Sequence, residues 1–245
     1  MKYVAPIALV LSLAACGGGT DANSTAPAAP VAGAAAPAGQ DWTQVVSKTA
    51  EGFVMGNPNA PIKLVEYGSR LCPTCKAFAD EGYQPLTENY VKSGKASFEF
   101  REFLVHGMQD VPPAALGACV GEAAFFPLME EMFRNQPQFI ETLQKSDPAA
   151  LQRIDAAPPA QKFVLLAQAM GLIDFVKQRG LPEDKARACL SDMTQIDRLT
   201  KITQDRGPGG DKTVAGTPTF LINGKVAEGA IGWSQVEQAL KAAGA

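Results

Sequence analysis

The sequence predicts an α/β domain, on three observations. A strand-like run, Ile62-Lys63-Leu64-Val65-Glu66-Tyr67, feeds a Cys72-Pro73-Thr74-Cys75 turn at the start of a helix. Helical patterns then dominate from about Pro112 to Arg206, and Asn223-Gly224, between Phe220-Leu221-Ile222 and Lys225-Val226-Ala227, is a strong signal for a hairpin that returns the chain to a sheet.

At the front, Lys2 precedes an apolar stretch from Val4 to Leu13. It is too short to span a bilayer and has the shape of a secretory signal. The stretch ends in Leu13-Ala14-Ala15-Cys16-Gly17, which looks like a lipobox, so residues 1–15 are expected to be a lipoprotein signal peptide and Cys16 the lipidated first residue of the mature chain. The alternative is an ordinary signal peptide with Cys16 incidental. Gly17 in place of Asp points toward outer-membrane sorting. Residues 17–40 are Gly, Ala, Pro, Thr, Ser, Asn, Asp and Gln with a single Val31, a composition that cannot build a core. Residues 16–44 are therefore read as the lipidated cysteine and a tether, a coil that reaches roughly 25 to 30 Å, and residues 45–245 as the folded domain.

Period-2 alternation along residues 62–67 puts Glu66 on the same face as Ile62 and Leu64. A carboxylate on an apolar face has its pKa raised. Lying on the strand that feeds the cysteine turn, Glu66 is a candidate to accept and return the proton of Cys75; a structural ion-pair partner or a solvated edge residue is the plainer alternative. In Cys-x-x-Cys the two thiols lie one helical turn apart, at roughly 5 to 6 Å, within disulfide range. Pro73 suits the first helical position, which makes Cys72 the N-cap, its sulfur facing the unpaired amides of the first turn, where thiolate is favoured. On this reading Cys72 is the nucleophile and the deeper Cys75 resolves its mixed disulfides. A lone Cys-x-x-Cys also forms half of a zinc site, but zinc takes four ligands. The chain offers one such pair, His106 and three cysteines at unrelated spacings, so a redox pair is expected and neither a metal nor another cofactor is.

Ser97–Phe103 alternates as a second strand. Helix starts are marked by Pro112, Pro148, Pro158 and Pro182, stops by Gly171 and Gly180, and Pro127 is expected to break or kink its helix. Two stripes at helical spacing, Val164-Leu165-Gln168-Ala169 and Ile196-Leu199-Ile202, read as core. Gly207-Pro208-Gly209-Gly210 lacks the Lys and Ser/Thr of a phosphate loop and reads as a connector. A last helix is expected from about Ser234, with Ser234 and Glu237 as a capping box. His106, the only histidine, has no evident partner and receives no role. Parity in an exported chain favours a Cys119–Cys189 bridge, with two buried thiols as the alternative.

The run Glu66-Tyr67-Gly68-Ser69-Arg70-Leu71-Cys72-Pro73-Thr74-Cys75, followed about 140 residues later by Gly216-Thr217-Pro218-Thr219-Phe220-Leu221-Ile222-Asn223-Gly224 and preceded by Gly56-Asn57-Pro58-Asn59-Ala60-Pro61, resembles the DsbA-like thiol:disulfide oxidoreductases of the bacterial envelope. The resemblance covers about residues 45–243. It implies a thioredoxin fold with an inserted all-helical subdomain, here about residues 108–206. It also implies a cis Pro218 facing the disulfide and a Thr217 whose backbone pairs with an extended substrate peptide; a trans proline opening an edge strand is the plainer alternative. Best-known oxidising members carry Pro-His between the cysteines. Pro73-Thr74 puts a hydroxyl where they have an imidazole, which implies a milder oxidant.

The implied activity is disulfide exchange with exported, cysteine-containing proteins, with the chain as oxidase and a DsbB-like, quinone-linked membrane partner to reoxidise it. A reductase or isomerase served by a DsbD-like donor is the alternative, and a non-enzymatic envelope lipoprotein chaperone a third class. The expected setting is the periplasmic face of the cell envelope, lipid-anchored, and the expected state a monomer. Lys and Arg number 22 against 25 Asp and Glu, and losing residues 1–15 takes the net charge from −3 to −4, so nothing points to nucleic acid.

Overall fold

The computed structural model describes Met1 and residues 28–245; the expected signal peptide and Cys16 lie outside the described residues. Six strands, β1 (Val46–Lys48), β2 (Gly52–Gly56), β3 (Ile62–Gly68), β4 (Ala96–Glu102), β5 (Thr219–Ile222) and β6 (Lys225–Val226), form one mixed sheet in the order β1-β2-β4-β3-β5-β6. Parallel β3 and β4 are joined by α1 (Pro73–Leu86), which runs on as a π-helical turn, Thr87–Val91. The near-continuous apolar run of β3 follows from this central place, because both faces are covered. Ile62 and Leu64 pack with Phe78, Phe98 and Phe100 on one side, Val65 and Tyr67 with Phe103, Ile202 and Leu221 on the other. The β5–β6 hairpin turns on Asn223 and Gly224, both at positive φ (51° and 80°), as a primed turn requires.

Between β4 and β5 stand seven helices: α2 (Val111–Cys119), α3 (Glu122–Gln144), α4 (Pro148–Ala156), α5 (Pro159–Ala169), α6 (Leu172–Lys177), α7 (Glu183–Ser191) and α8 (Met193–Arg206). They enclose a core of their own that includes Leu116, Met132, Leu166, Met170, Leu190 and Ile196. Cys119 and Cys189 are joined in a disulfide, with Cα atoms 6.4 Å apart, which ties the end of α2 to α7. At its C-terminal end the insertion is fastened to the sheet by Arg206, which binds Glu51 at 3.1 Å through Nε, while Glu51 also accepts from the Tyr67 hydroxyl at 2.8 Å. The last helix, α9 (Trp233–Ala242), packs on α1 through Trp233 and Phe78.

Four local expectations are corrected. Pro127 does not break α3, which passes through it and Pro137. A proline inside a helix costs about 3 kcal/mol, whereas burying a large apolar side chain returns about 1.5–3 kcal/mol; α3 buries Phe125, Phe126, Leu128, Met129, Met132 and Phe133. On α5 the fully buried stripe is Phe163, Leu166 and Ala167, continued by Met170 at the C-cap; Val164, Leu165 and Ala169 pack half-buried against the same core, and only Gln168 of the expected stripe is exposed. At α9 the cap is Gly232 with no side-chain bond, because Trp233 packs on Phe78 and Tyr90 and starts the helix one residue early. Glu237 instead accepts from the Tyr90 hydroxyl at 3.0 Å and pairs with Lys241.

The fourth concerns the tether. From residue 28 the chain lies on the domain as a strap: Ala28 N–H donates to Ala242 O at 3.0 Å and Val31 N–H to Gly244 O at 2.7 Å. Trp42 is buried and donates its indole N–H to Ala34 O at 2.7 Å. Small residues permit this rather than prevent it. A Cβ on Gly94 would stand 2.2 Å from Ala34 O, so strap and domain meet backbone to backbone.

Replacing both Cys119 and Cys189 by Ala is expected to lower unfolding free energy by up to about 4 kcal/mol, the chain-entropy value for so long a loop. Guanidinium unfolding measures it, and a midpoint equal to the parent's would show that the bridge adds nothing.

Candidate active site

The site lies where β3 ends and α1 begins. Cys72, with extended backbone (φ −76°, ψ 120°), is the N-cap of α1, and its sulfur accepts from the Cys75 amide at 3.4 Å. Pro73 holds the first helical position, and both Pro73 and Thr74 are exposed. Both cysteines are free thiols, Cys75 fully buried and Cys72 at 6% exposure. The Thr217–Pro218 peptide bond is cis, and the loop it forms reaches the cysteines: in the thiol form Cys72 Sγ donates to the Thr217 carbonyl at 3.3 Å. Once Cys72 ionises, the donors converge on its sulfur. Its pKa is lowered to about 5, first by the Cys75 thiol, then by the Thr217 hydroxyl and the Cys75 and Thr74 amides, against a burial that alone would raise it. The Thr217 hydroxyl oxygen is buried and has no partner while Cys72 is a thiol.

Beneath the pair, Glu66 lies in the centre of the sheet between Phe100 of β4 and Phe220 of β5, 1% exposed, and its Oε1 has no hydrogen-bond partner. Burial raises its pKa well above the ordinary carboxylate value, and the charges of Cys72 and Glu102 push the same way. Cys75 is raised well above an ordinary thiol, by burial first and then by its hydrogen bond to Cys72 and the Glu66 charge. The site therefore pairs one easily ionised sulfur, slightly open to solvent, with one sulfur and one carboxyl whose pKa values burial drives up. In exchange chemistry the first is a good nucleophile and leaving group, and the second leaves only if protonated as it goes.

Several groups at the site did not stand out in the sequence. Arg70, 1% exposed, places its guanidinium inside the fold, donates to Glu102 at 2.7 Å and lies 5.0 Å from the Phe125 ring centre. Gly117 leaves room for it, since a Cβ there would meet the guanidinium carbon at 2.4 Å. Gln136 of α3 donates through Nε2 to the carbonyls of Arg70 at 3.0 Å and Cys72 at 2.9 Å. Ser69 Oγ accepts from the Leu71 amide at 3.0 Å and donates to buried Asp110 at 2.7 Å. His106 is not partnerless: its Nδ1 lies 3.1 Å from the same carboxylate. Two of these had a legible signal. Glu102 shares a strand face with Phe98 and Phe100, and Gln136 interrupts the apolar stripe of Met129, Met132 and Phe133. Cys119, half-buried against the insertion core, and its partner Cys189 on α7 are bonded to each other and not to Cys72 or Cys75, and Cys16 lies outside the described residues.

Two open surfaces adjoin the pair. One runs beside the cis-proline loop, lined by Pro218, Thr219, Phe220 and the exposed Ile231. The other is an apolar cleft of about 440 Å³ between α3, α4 and α5, with Leu71, the residue before Cys72, in its wall.

Residues 48–242 match the family model described as Thioredoxin. The chain is similar to the "Probable disulfide bond formation protein D" of Bacillus cereus, 25% identical over 180 residues that cover 71% of this chain and 70% of that one. A crystal structure titled protein-disulfide isomerase, from Novosphingobium aromaticivorans, is 30% identical and superposes with a TM-score of 0.72 over 78% of this chain and 97% of that one. The DsbA of Wolbachia pipientis, at 19% identity, shares the fold with a TM-score of 0.57 over 82% of this chain and 94% of its own. The chain spans 57% and 53% of the length of its curated relatives from Rickettsia bellii and Rickettsia felis. With its cysteine pair at the start of α1, its cis-proline loop and its helical insertion, the chain belongs to the thioredoxin family, in the DsbA-like branch of protein-disulfide oxidoreductases.

Proposed function

We propose that the chain is a disulfide oxidase for exported proteins, working through Cys72 and Cys75. The observation that carries this reading is the stabilised Cys72 thiolate at the α1 N-terminus. What favours thiolate favours the reduced protein, and so makes its disulfide oxidising. The relatives named for disulfide bond formation support the same direction. In the working cycle a client thiolate attacks Cys72 Sγ of the oxidised pair. The Cys72–Cys75 bond breaks, Cys75 leaves with the electron pair, and Glu66 supplies its proton. A second client thiolate then attacks the client sulfur of the mixed disulfide; the client bond closes and Cys72 departs as the thiolate its neighbours hold. A membrane partner of the quinone-linked, DsbB-like kind takes the two electrons and restores the pair. The client strand lies along the Thr217–Pro218 loop, whose backbone it pairs with, and Thr74 makes the pair a milder oxidant than one with an imidazole there.

The setting is the periplasmic face of the envelope, with Cys16 lipidated after removal of residues 1–15. The isomerase title of the Novosphingobium structure favours a second reading, in which a DsbD-like donor keeps the pair reduced. Parallel assays separate the two: an oxidase restores activity to a reduced, unfolded client and reduces insulin slowly, while a reductase or isomerase does the reverse. Activity in neither assay would overturn both.

Two further outcomes are expected. Alkylation of the reduced protein should rise about tenfold per pH unit below pH 5 and level off above it, since only thiolate reacts and the Cys72 pKa is lowered to about 5. A single rise centred near pH 8 to 9 would remove the proposed nucleophile. Glu66→Gln should slow formation of the mixed disulfide by about tenfold or more in stopped-flow mixing with a client peptide, because it withholds the proton from departing Cys75. An unchanged rate would show that the proton comes from elsewhere.

A further inference from the structure

We propose that Gln136, on the helical insertion, is a positioning residue that sets the ionisation and redox balance of Cys72 by clamping the turn that carries it. The inference rests on the reading of Cys72 as the reactive thiol. Gln136 is 2% exposed, and both hydrogens of its side-chain amide are accounted for, one on the carbonyl of Arg70 and the other on that of Cys72. One turn earlier on α3, Met132 Sδ accepts from Arg70 Nη1 at 3.3 Å, so the same helix face holds the Arg70 side chain as well. The clamped carbonyls bracket Leu71, whose own amide is held from the other side by Ser69 Oγ. The turn from Ser69 to Cys72 is thus gripped between α3 and Asp110, the residue just before α2.

The clamp matters for the chemistry because the Cys72 carbonyl is part of the peptide plane that opens α1. It also accepts the first helical bond, from Lys76 N–H at 3.1 Å. Fixing that plane fixes the direction in which the first-turn amides of Thr74 and Cys75 point, and these are among the donors to the Cys72 sulfur. A buried amide with both hydrogens on the backbone of the redox turn has no such partners on its own helix. This gives the insertion a second function beside framing the site, since a residue 64 positions along the chain holds the thiolate's cap in register.

The test compares wild type with Gln136→Met, which keeps the length of the side chain and removes both donors, and with Gln138→Met, an exposed control on the same helix. Cys72 is titrated by thiolate absorbance, the redox equilibrium is measured against glutathione, and thermal unfolding is followed in parallel. Gln136→Met is expected to move the Cys72 midpoint upward by about one pH unit and the glutathione equilibrium up to tenfold toward the oxidised protein, while Gln138→Met matches wild type. A Gln136→Met protein with an unchanged midpoint and equilibrium overturns the proposal, whether or not its melting temperature falls. A wild type without a depressed midpoint would instead sink the reading of Cys72. Should the variant not fold, hydrogen exchange of the Gln136 side-chain amide in the wild type decides: strong protection is expected, and exchange at the rate of a free glutamine overturns the clamp.

Discussion

The structure turns on a sulfur used as a helix cap. An N-cap oxygen satisfies one or two loose amides of the first turn and is otherwise inert. Putting Cys72 there makes the group that receives those amides a thiol, whose ionisation they favour. The helix dipole is too small to do this alone: even the roughly 2 kcal/mol reached at a partly buried helix end is about one and a half pKa units, short of the fall from 9.0 to about 5. The larger part comes from direct donors, above all the Cys75 thiol, with the Thr217 hydroxyl and the two amides behind it. Hence the long-range architecture. β5 must return from beyond the insertion to sit beside β3, since that pairing carries the cis-proline loop to the sulfur.

Burial sorts the two cysteines and the carboxylate into complementary roles. Cys72 has backbone and hydroxyl donors within reach, so ionisation is compensated; Cys75 and Glu66 are sealed among aromatic residues, which pushes both pKa values up. Nearby, the same apolar surroundings hold Arg70 against Glu102. Burial raises the Glu102 pKa and the guanidinium lowers it. A buried pair of this kind adds little to stability compared with apolar residues of its size. Its evident work is geometric, for it pins residue 70, two places before Cys72, to the floor of the site.

Local chemistry was readable wherever it is encoded by neighbours in sequence. The Cys72 cap, proline at the next position, the Asn223-Gly224 turn and the buried face of β3 all follow from spacing and residue type, and the structure has them. What was hidden depends on distant packing. α3 survives Pro127 because two cores grip it, a fact no local helix rule contains. Gln136 and Glu102 do break the apolar pattern of their elements, yet which backbone or cation each would meet was decided by topology. The seating of residues 28–34 is hidden for a related reason: composition measures side chains available for a core, and this segment attaches through backbone hydrogen bonds and close main-chain contact.

That attachment gives the domain an unusual order of assembly. Of the strap's partners, Ala242 closes α9 and Gly244 lies two residues beyond it, so the strap's first residues cannot seat until the chain has been made through α9 and that helix has wound. A contact closing across more than 200 residues contributes late, after nearer pairings have cut the entropy of closing so large a loop. The segment nearest the start of the described chain is thus among the last to settle, a latch drawn over a finished fold.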